Sequence, residues 1–83
     1  TYLGMIGEKN AEGMYRIEQR NKFTVGEEIE VMKPNGENIM VTVKSIKDEE
    51  GKDMESAPHP KQVLYIDLGI ELSEYDILRR KEN

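Results

Sequence analysis

Short runs of alternating or β-branched apolar residues recur along the chain, cut at close intervals by polar, glycine-rich or proline-bearing punctuation. That is the rhythm of an all-strand domain. "YLGMI" (2–6) predicts a first strand, "GEKNAEG" (7–13) a polar turn, and "MYRIEQRN" (14–21) a second strand. "TVGEEIEVM" (24–32) predicts a third, with Gly26 as a bulge or tight bend and Val25, Ile29 and Val31 on one face. "KPNGEN" (33–38) holds a Pro-Asn-Gly turn, in which proline presets φ and Asn-Gly tolerates positive φ. "IMVTVKSI" (39–46) is the longest β-branched run and predicts the firmest strand. "KDEEGKD" (47–53) reads as a solvated hairpin tip, "MES" (54–56) as a short run, and "APHPK" (57–61) as a corner held by two prolines. "QVLYIDL" (62–68), apolar on both faces, predicts a core strand, and "YDILRR" (75–80) a final strand or short turn of helix. About seven short strands are too few for a large two-sheet sandwich. The expected fold is all-β, a small distorted barrel of six to eight strands over residues 1–83, which hides its edges by closing on itself.

The second strand carries an unusual pattern. Its even positions Arg16, Glu18, Arg20 and Lys22 are charged, while the odd positions run Tyr15, Ile17, Gln19, Asn21 and Phe23. Alternation places the four charges on one face and directs Gln19 and Asn21 inward, toward backbone groups at the barrel rim. Side chains two apart on a strand lie about 6.6–6.8 Å apart, close to the phosphate spacing of a nucleic-acid backbone. Three such contacts would neutralise about three phosphates and give a salt slope near −2 to −3. The plainer alternative is a surface strand of salt-bridged charges, each exposed pair worth about 0–1 kcal/mol. A second basic group, Arg79, Arg80 and Lys81, closes the chain.

Charge and composition narrow the field. The net charge of −5 argues against binding nucleic acid by bulk attraction and leaves only a local strip for it. Hydrophobic residues make up 36 % and charged residues 35 %, polar for a folded domain, yet the apolar positions are patterned and imply a modest core. The absence of cysteine excludes disulfides, thiolate metal sites, iron–sulfur ligation and a cysteine nucleophile within these residues. It is compatible with a reducing cytoplasm, the expected location. No apolar run approaches the roughly 18 residues of a membrane-spanning helix, and no membrane partner is expected. The chain opens at Thr1 and is expected to be a piece of a larger protein.

No catalytic, metal-binding or cofactor constellation stands out. His59, the single histidine, would need carboxylates alone to complete a metal site, and a rigid proline-flanked corner explains it better. "DEEGKDME" has its glycine at the wrong position for an EF-hand loop and no flanking helices. "GEEIE" gathers three carboxylates, with Glu28 and Glu30 on one face, but no shielded cleft accompanies them and a soluble face is expected. Ser45, Ser56 and Ser73 have no base pattern nearby, and the glycines form no phosphate loop.

Two resemblances follow from these residues. "FTVGEEIEVM", "VKSIKDEEGKDMESA" and "ILRR" are similar to the second domain of elongation factor Tu and related translational GTPases, which implies a small β-barrel. "YRIEQRNKFTVGEEIEV", the "APHP" corner and the terminal "LRR" together resemble the C-terminal domain of peptidase family U32, the collagenase-like peptidases of unknown catalytic type. That resemblance spans nearly the whole chain. It implies an accessory barrel that follows a larger catalytic domain and is inactive alone. Family members are classed as peptidases, some linked to collagen degradation. Related proteins act in hydroxylation of tRNA or ribosomal RNA, some with iron–sulfur clusters that would belong to the preceding domain. On this basis Arg16, Glu18, Arg20, Lys22, Arg79 and Arg80 are the expected contact residues. Their expected partner is the preceding catalytic domain, or an extended peptide or RNA substrate.

Overall fold

The computed structural model describes residues 1–56 and 62–80; the "APHPK" corner with His59 and the terminal Lys81 lie outside them. Eight strands follow in chain order: β1 (Tyr2–Lys9), β2 (Tyr15–Gln19), β3 (Glu28–Met32), β4 (Asn38–Thr42), β5 (Ser45–Lys47), β6 (Asp53–Met54), β7 (Val63–Asp67) and β8 (Ile77–Arg79). They form one antiparallel sheet in the order β4-β3-β8-β1-β2-β7-β5-β6. Three backbone links curl it. Lys44 N–H donates to Asp67 C=O at 2.9 Å, Val25 N–H donates to Glu55 C=O at 2.8 Å, and Thr24 bridges Ser56. The result is the small distorted β-barrel expected of the pattern.

The concave face holds the core. Leu3, Ile6, Ile17, Phe23, Ile29, Val31, Val43, Ile46, Leu64, Ile66 and Leu78 are almost wholly removed from water. Each such side chain contributes about 1.5–3 kcal/mol of transfer free energy. The barrel is tight enough to need a glycine. A Cβ on Gly4 would sit 2.6 Å from the Ile17 side chain and 2.8 Å from the Glu18 carbonyl oxygen, so only a residue without one lets β1 lie this close to β2.

Several boundaries differ from the sequence expectation. β1 runs on to Lys9, because Lys9 pairs with Tyr15 across a register shift. The 39–46 run is two strands. At Val43–Lys44 the pairing partner changes: Val43 still bonds Glu27 beside β3, and Lys44 bonds Asp67 on β7. Val25 stands outside β3 and is exposed, since Gly26 takes a φ of +91° and turns the chain before the strand begins. Asn21 is also exposed, its Nδ2 donating to the Tyr2 carbonyl at 2.6 Å, whereas Gln19 is fully buried.

A buried ion pair pins the β3–β4 hairpin to the rest of the barrel. Asp76, fully buried, accepts from Lys33 Nζ at 2.6 Å and from Ser73 N–H at 2.9 Å through Oδ2. The preceding residue, Tyr75, adopts a left-handed φ of +74°, a conformation costing a non-glycine residue about 1–2 kcal/mol. Two bonds on either side hold it there: Tyr75 N–H to Ile6 C=O and Ile6 N–H to Asp76 C=O, both 2.8 Å. Finally, Arg80 N–H donates to Thr1 C=O at 2.8 Å and the Thr1 ammonium to Arg80 C=O at 3.2 Å, placing the two ends of the described chain side by side.

Candidate interaction surface

The charged strip keeps strand spacing only as far as Glu18, because β2 ends at Gln19. Arg16 is exposed opposite Tyr65, and Glu18 opposes Met5 and Val63. Arg20 folds back so that its Nη2 lies 2.9 Å from Glu18 Oε1, while Lys22 lies beyond the strand. Arg79 pairs with Glu30, which is only 6 % exposed although it sits on the outer face. The expected soluble face of "GEEIE" is therefore split, with Glu28 exposed and Glu30 covered. Arg80 Nε reaches Glu27 Oε2 at 2.5 Å, and its Nη2 donates to the Lys22 carbonyl at 2.6 Å. The Arg80 guanidinium, helped by the Thr24 N–H, holds the Glu27 carboxyl below its usual range against a partial desolvation. The structure thus gathers Lys22, Glu27 and Arg80 at one end of the barrel. It pairs Arg20 and Arg79 with carboxylates and leaves Arg16 and Lys22 without an ion pair among the described residues.

A second surface was not anticipated. On the convex side, Met32 opposes Ile77, which opposes Met5, in one cross-strand row over β3, β8 and β1. The adjacent row runs Met40, Glu30, Arg79, Tyr2. Met5 (43 %), Tyr2 (43 %), Met40 (41 %) and Ile77 (36 %) are substantially exposed, so an apolar stripe crosses four strands, with the Glu30–Arg79 pair in its middle. A signal was present in the sequence: apolar Met5 and Ile77 occupy outward positions where a solvated sheet face carries polar residues. Exposed apolar side chains brought together in this way make the stripe a candidate contact surface.

The concavities are surface grooves. One of about 560 Å³ is lined by Val25, Lys44, Ile46, Met54 and Glu55, and one of about 320 Å³ by the acidic 48–51 turn with Lys47 and Tyr65. That turn uses its leading carboxylate internally, Asp48 Oδ1 accepting from Glu50 N–H and Lys52 N–H. Among the described residues no three His, Cys, Asp or Glu side chains converge on a possible metal position.

The fold defines a small all-β barrel module. Residues 1–79 match the model of the peptidase family U32 C-terminal domain, and the chain belongs to that family. Two crystal structures of the C-terminal domain of a Geobacillus thermoleovorans protein designated a U32 peptidase share the fold. The selenomethionine form has a TM-score of 0.83 at 30 % identity, covering 96 % of this chain and 99 % of that one. The other has a TM-score of 0.82 at 32 % identity, covering 99 % and 92 %. The tRNA hydroxylation protein P1 of Bacillus subtilis (strain 168) is 33 % identical over 67 residues. The match takes in 81 % of this chain and 16 % of that protein, so this chain spans well under a fifth of the curated relative's length.

Proposed function

We propose that this domain is a non-catalytic accessory barrel of a family U32 protein, which docks against the remainder of its polypeptide and positions that remainder for its substrate. The exposed apolar stripe carries this reading. Met5, Ile77 and Met40 lie outside a core that is complete without them, and covering them requires another surface. The ion pair between the buried Glu30 and the partly exposed Arg79 provides a polar anchor inside that stripe. The test is to compare the full-length protein with its Met5→Glu/Ile77→Glu variant for proteolysis and for RNA hydroxylation. Loss of either activity with an unchanged melting temperature of the domain supports docking. Wild-type activity in both assays refutes it.

A second reading, contact with RNA, is favoured by the likeness to a protein named for tRNA hydroxylation together with Arg16 and Lys22, which have no ion pair among the described residues. On that reading, Arg16→Glu with Arg20→Glu abolishes tRNA binding, and wild-type affinity falls steeply between low and moderate salt. Affinity that is flat with salt removes it.

A further inference from the structure

The two edges of the sheet are treated differently. β6 is two residues long, begins with the charged Asp53, and is followed by Glu55 and Ser56, which are taken up by Val25 and Thr24. Short length, charge and a covering segment are the devices that keep a sheet edge from pairing further. β4, at the other edge, has none of them among the described residues. Its five residues, Asn-Ile-Met-Val-Thr, include no charge and no proline, and its register with β3 is unbroken from Glu28↔Thr42 to Met32↔Asn38.

The direction of each β4 backbone group follows from the ends of that ladder. Val43 N–H donates to Glu27 C=O and Lys33 N–H to Glu37 C=O, both at 2.9 Å. In an antiparallel ladder the hydrogen-bonded pairs recur every second residue, so Glu37, Ile39, Val41 and Val43 turn their groups toward β3. Asn38, Met40 and Thr42 turn theirs outward, and all three residues are exposed. Three N–H donors and three C=O acceptors thus face away from the barrel in a row, on the margin of the stripe that runs through Met40, Met32, Ile77 and Met5.

We infer that the β4 edge is a strand-pairing site, and that its occupant is an extended segment of the same polypeptide outside the barrel. This rests on the accessory-domain reading and names the contact that fixes the geometry. Length decides between a tethered and a free occupant. Five residues span about 17 Å, and pairing along them buries far less than the roughly 1,200 Å² of a stable free complex. A tethered segment meets the edge at an effective concentration near millimolar, where a short ladder suffices. The relative that resembles this chain devotes more than four-fifths of its length to other sequence, enough to supply it. Glu37 and Glu28 flank the two ends of the edge, so the matching segment is uncharged at its centre and cationic at its ends. The same carboxylates disfavour nucleic acid at this edge.

Amide hydrogen exchange on the full-length protein and on the barrel alone tests this; the relative's C-terminal domain, crystallised by itself, shows that such a barrel stands alone. In the isolated barrel the amides of Met40 and Thr42 are expected to exchange at near-unprotected rates, while Ile39 and Val41 are protected. In the full-length protein Met40 and Thr42 should slow by at least 100-fold. Met40→Pro removes an outward donor and leaves the β3 ladder intact, a place where a strand tolerates proline. It should return Thr42 to fast exchange in the full-length protein. Equal, fast exchange of Met40 and Thr42 in both forms of the wild type overturns the inference without any variant. If Met5→Glu/Ile77→Glu still abolishes activity in that case, docking survives and only the strand pairing fails. Protection that appears in the isolated barrel and rises with its concentration also overturns the inference, in favour of a second copy.

Discussion

Removing either half of the Lys33–Asp76 pair should be costly, and the two removals should differ in a diagnostic way. Asp76 is fully buried, whereas the Lys33 side chain is 20 % exposed. Breaking a buried pair from one side costs about 3–5 kcal/mol. In Asp76→Ala the lysine can turn its ammonium toward water, which puts the cost at the low end, about 3 kcal/mol, including the acceptor lost to Ser73 N–H. In Lys33→Met the carboxylate keeps only Ser73 N–H and cannot reach solvent. That leaves an uncompensated buried charge, which puts the cost at the high end, about 5 kcal/mol. Urea unfolding of the barrel at pH 7, followed by circular dichroism, separates the two. The Lys33→Met deficit should exceed the Asp76→Ala deficit by about 1–2 kcal/mol. An 83-residue domain has a total stability of only about 4–12 kcal/mol, so both variants should be visibly weakened. A cost below about 1 kcal/mol for Asp76→Ala, or a Lys33→Met cost no larger than that of Asp76→Ala, would refute the assignment of the pair as the clamp on the hairpin.

Other expectations concern single contacts. Gly4→Ala should destabilise the barrel by about 1–3 kcal/mol, measured by chemical unfolding, because the new methyl meets Ile17 and the Glu18 carbonyl. Leu78→Ala, at a position with no exposure in the middle of β8, should cost about 2–5 kcal/mol in the same assay. The Arg80–Glu27 contact lowers the folded-state pKa of the glutamate, so its contribution is present above the ordinary value of 4.5 and is lost as the pH falls through the depressed one. Glu27→Gln should therefore be less stable than wild type at neutral pH and converge with it in acid; parallel curves down to the lowest pH would contradict the linkage.

The all-β class and most strand positions were readable because alternation and turn chemistry are local. What failed to read was decided at long range. Nothing in "IMVTVKSI" breaks a strand; the change of partner at Val43–Lys44 exists because Asp67, more than twenty residues away, takes the Lys44 amide. β1 gained "GEK" because a pairing partner was at hand, not because those residues favour strands. Glu30 carries the pattern of a solvated face, and only Arg79, arriving on β8, covers it. The charges of the second strand were found by period alone, yet the pairing of Arg20 with Glu18, and of Arg79 and Arg80 near the chain's end with Glu30 and Glu27, depended on side-chain reach that a period does not encode. The apolar stripe was missed for a related reason. Its residues come from four strands and become neighbours only once register is fixed.

The mutual hydrogen bonds between Thr1 and Arg80 give the barrel a single point of suspension. Polypeptide attached at either end leaves from one spot, so the domain can swing as a pendant without its own strands being pulled apart. Circularising it through a short linker and reopening it in the 48–51 turn should yield the same topology with new termini on the far side.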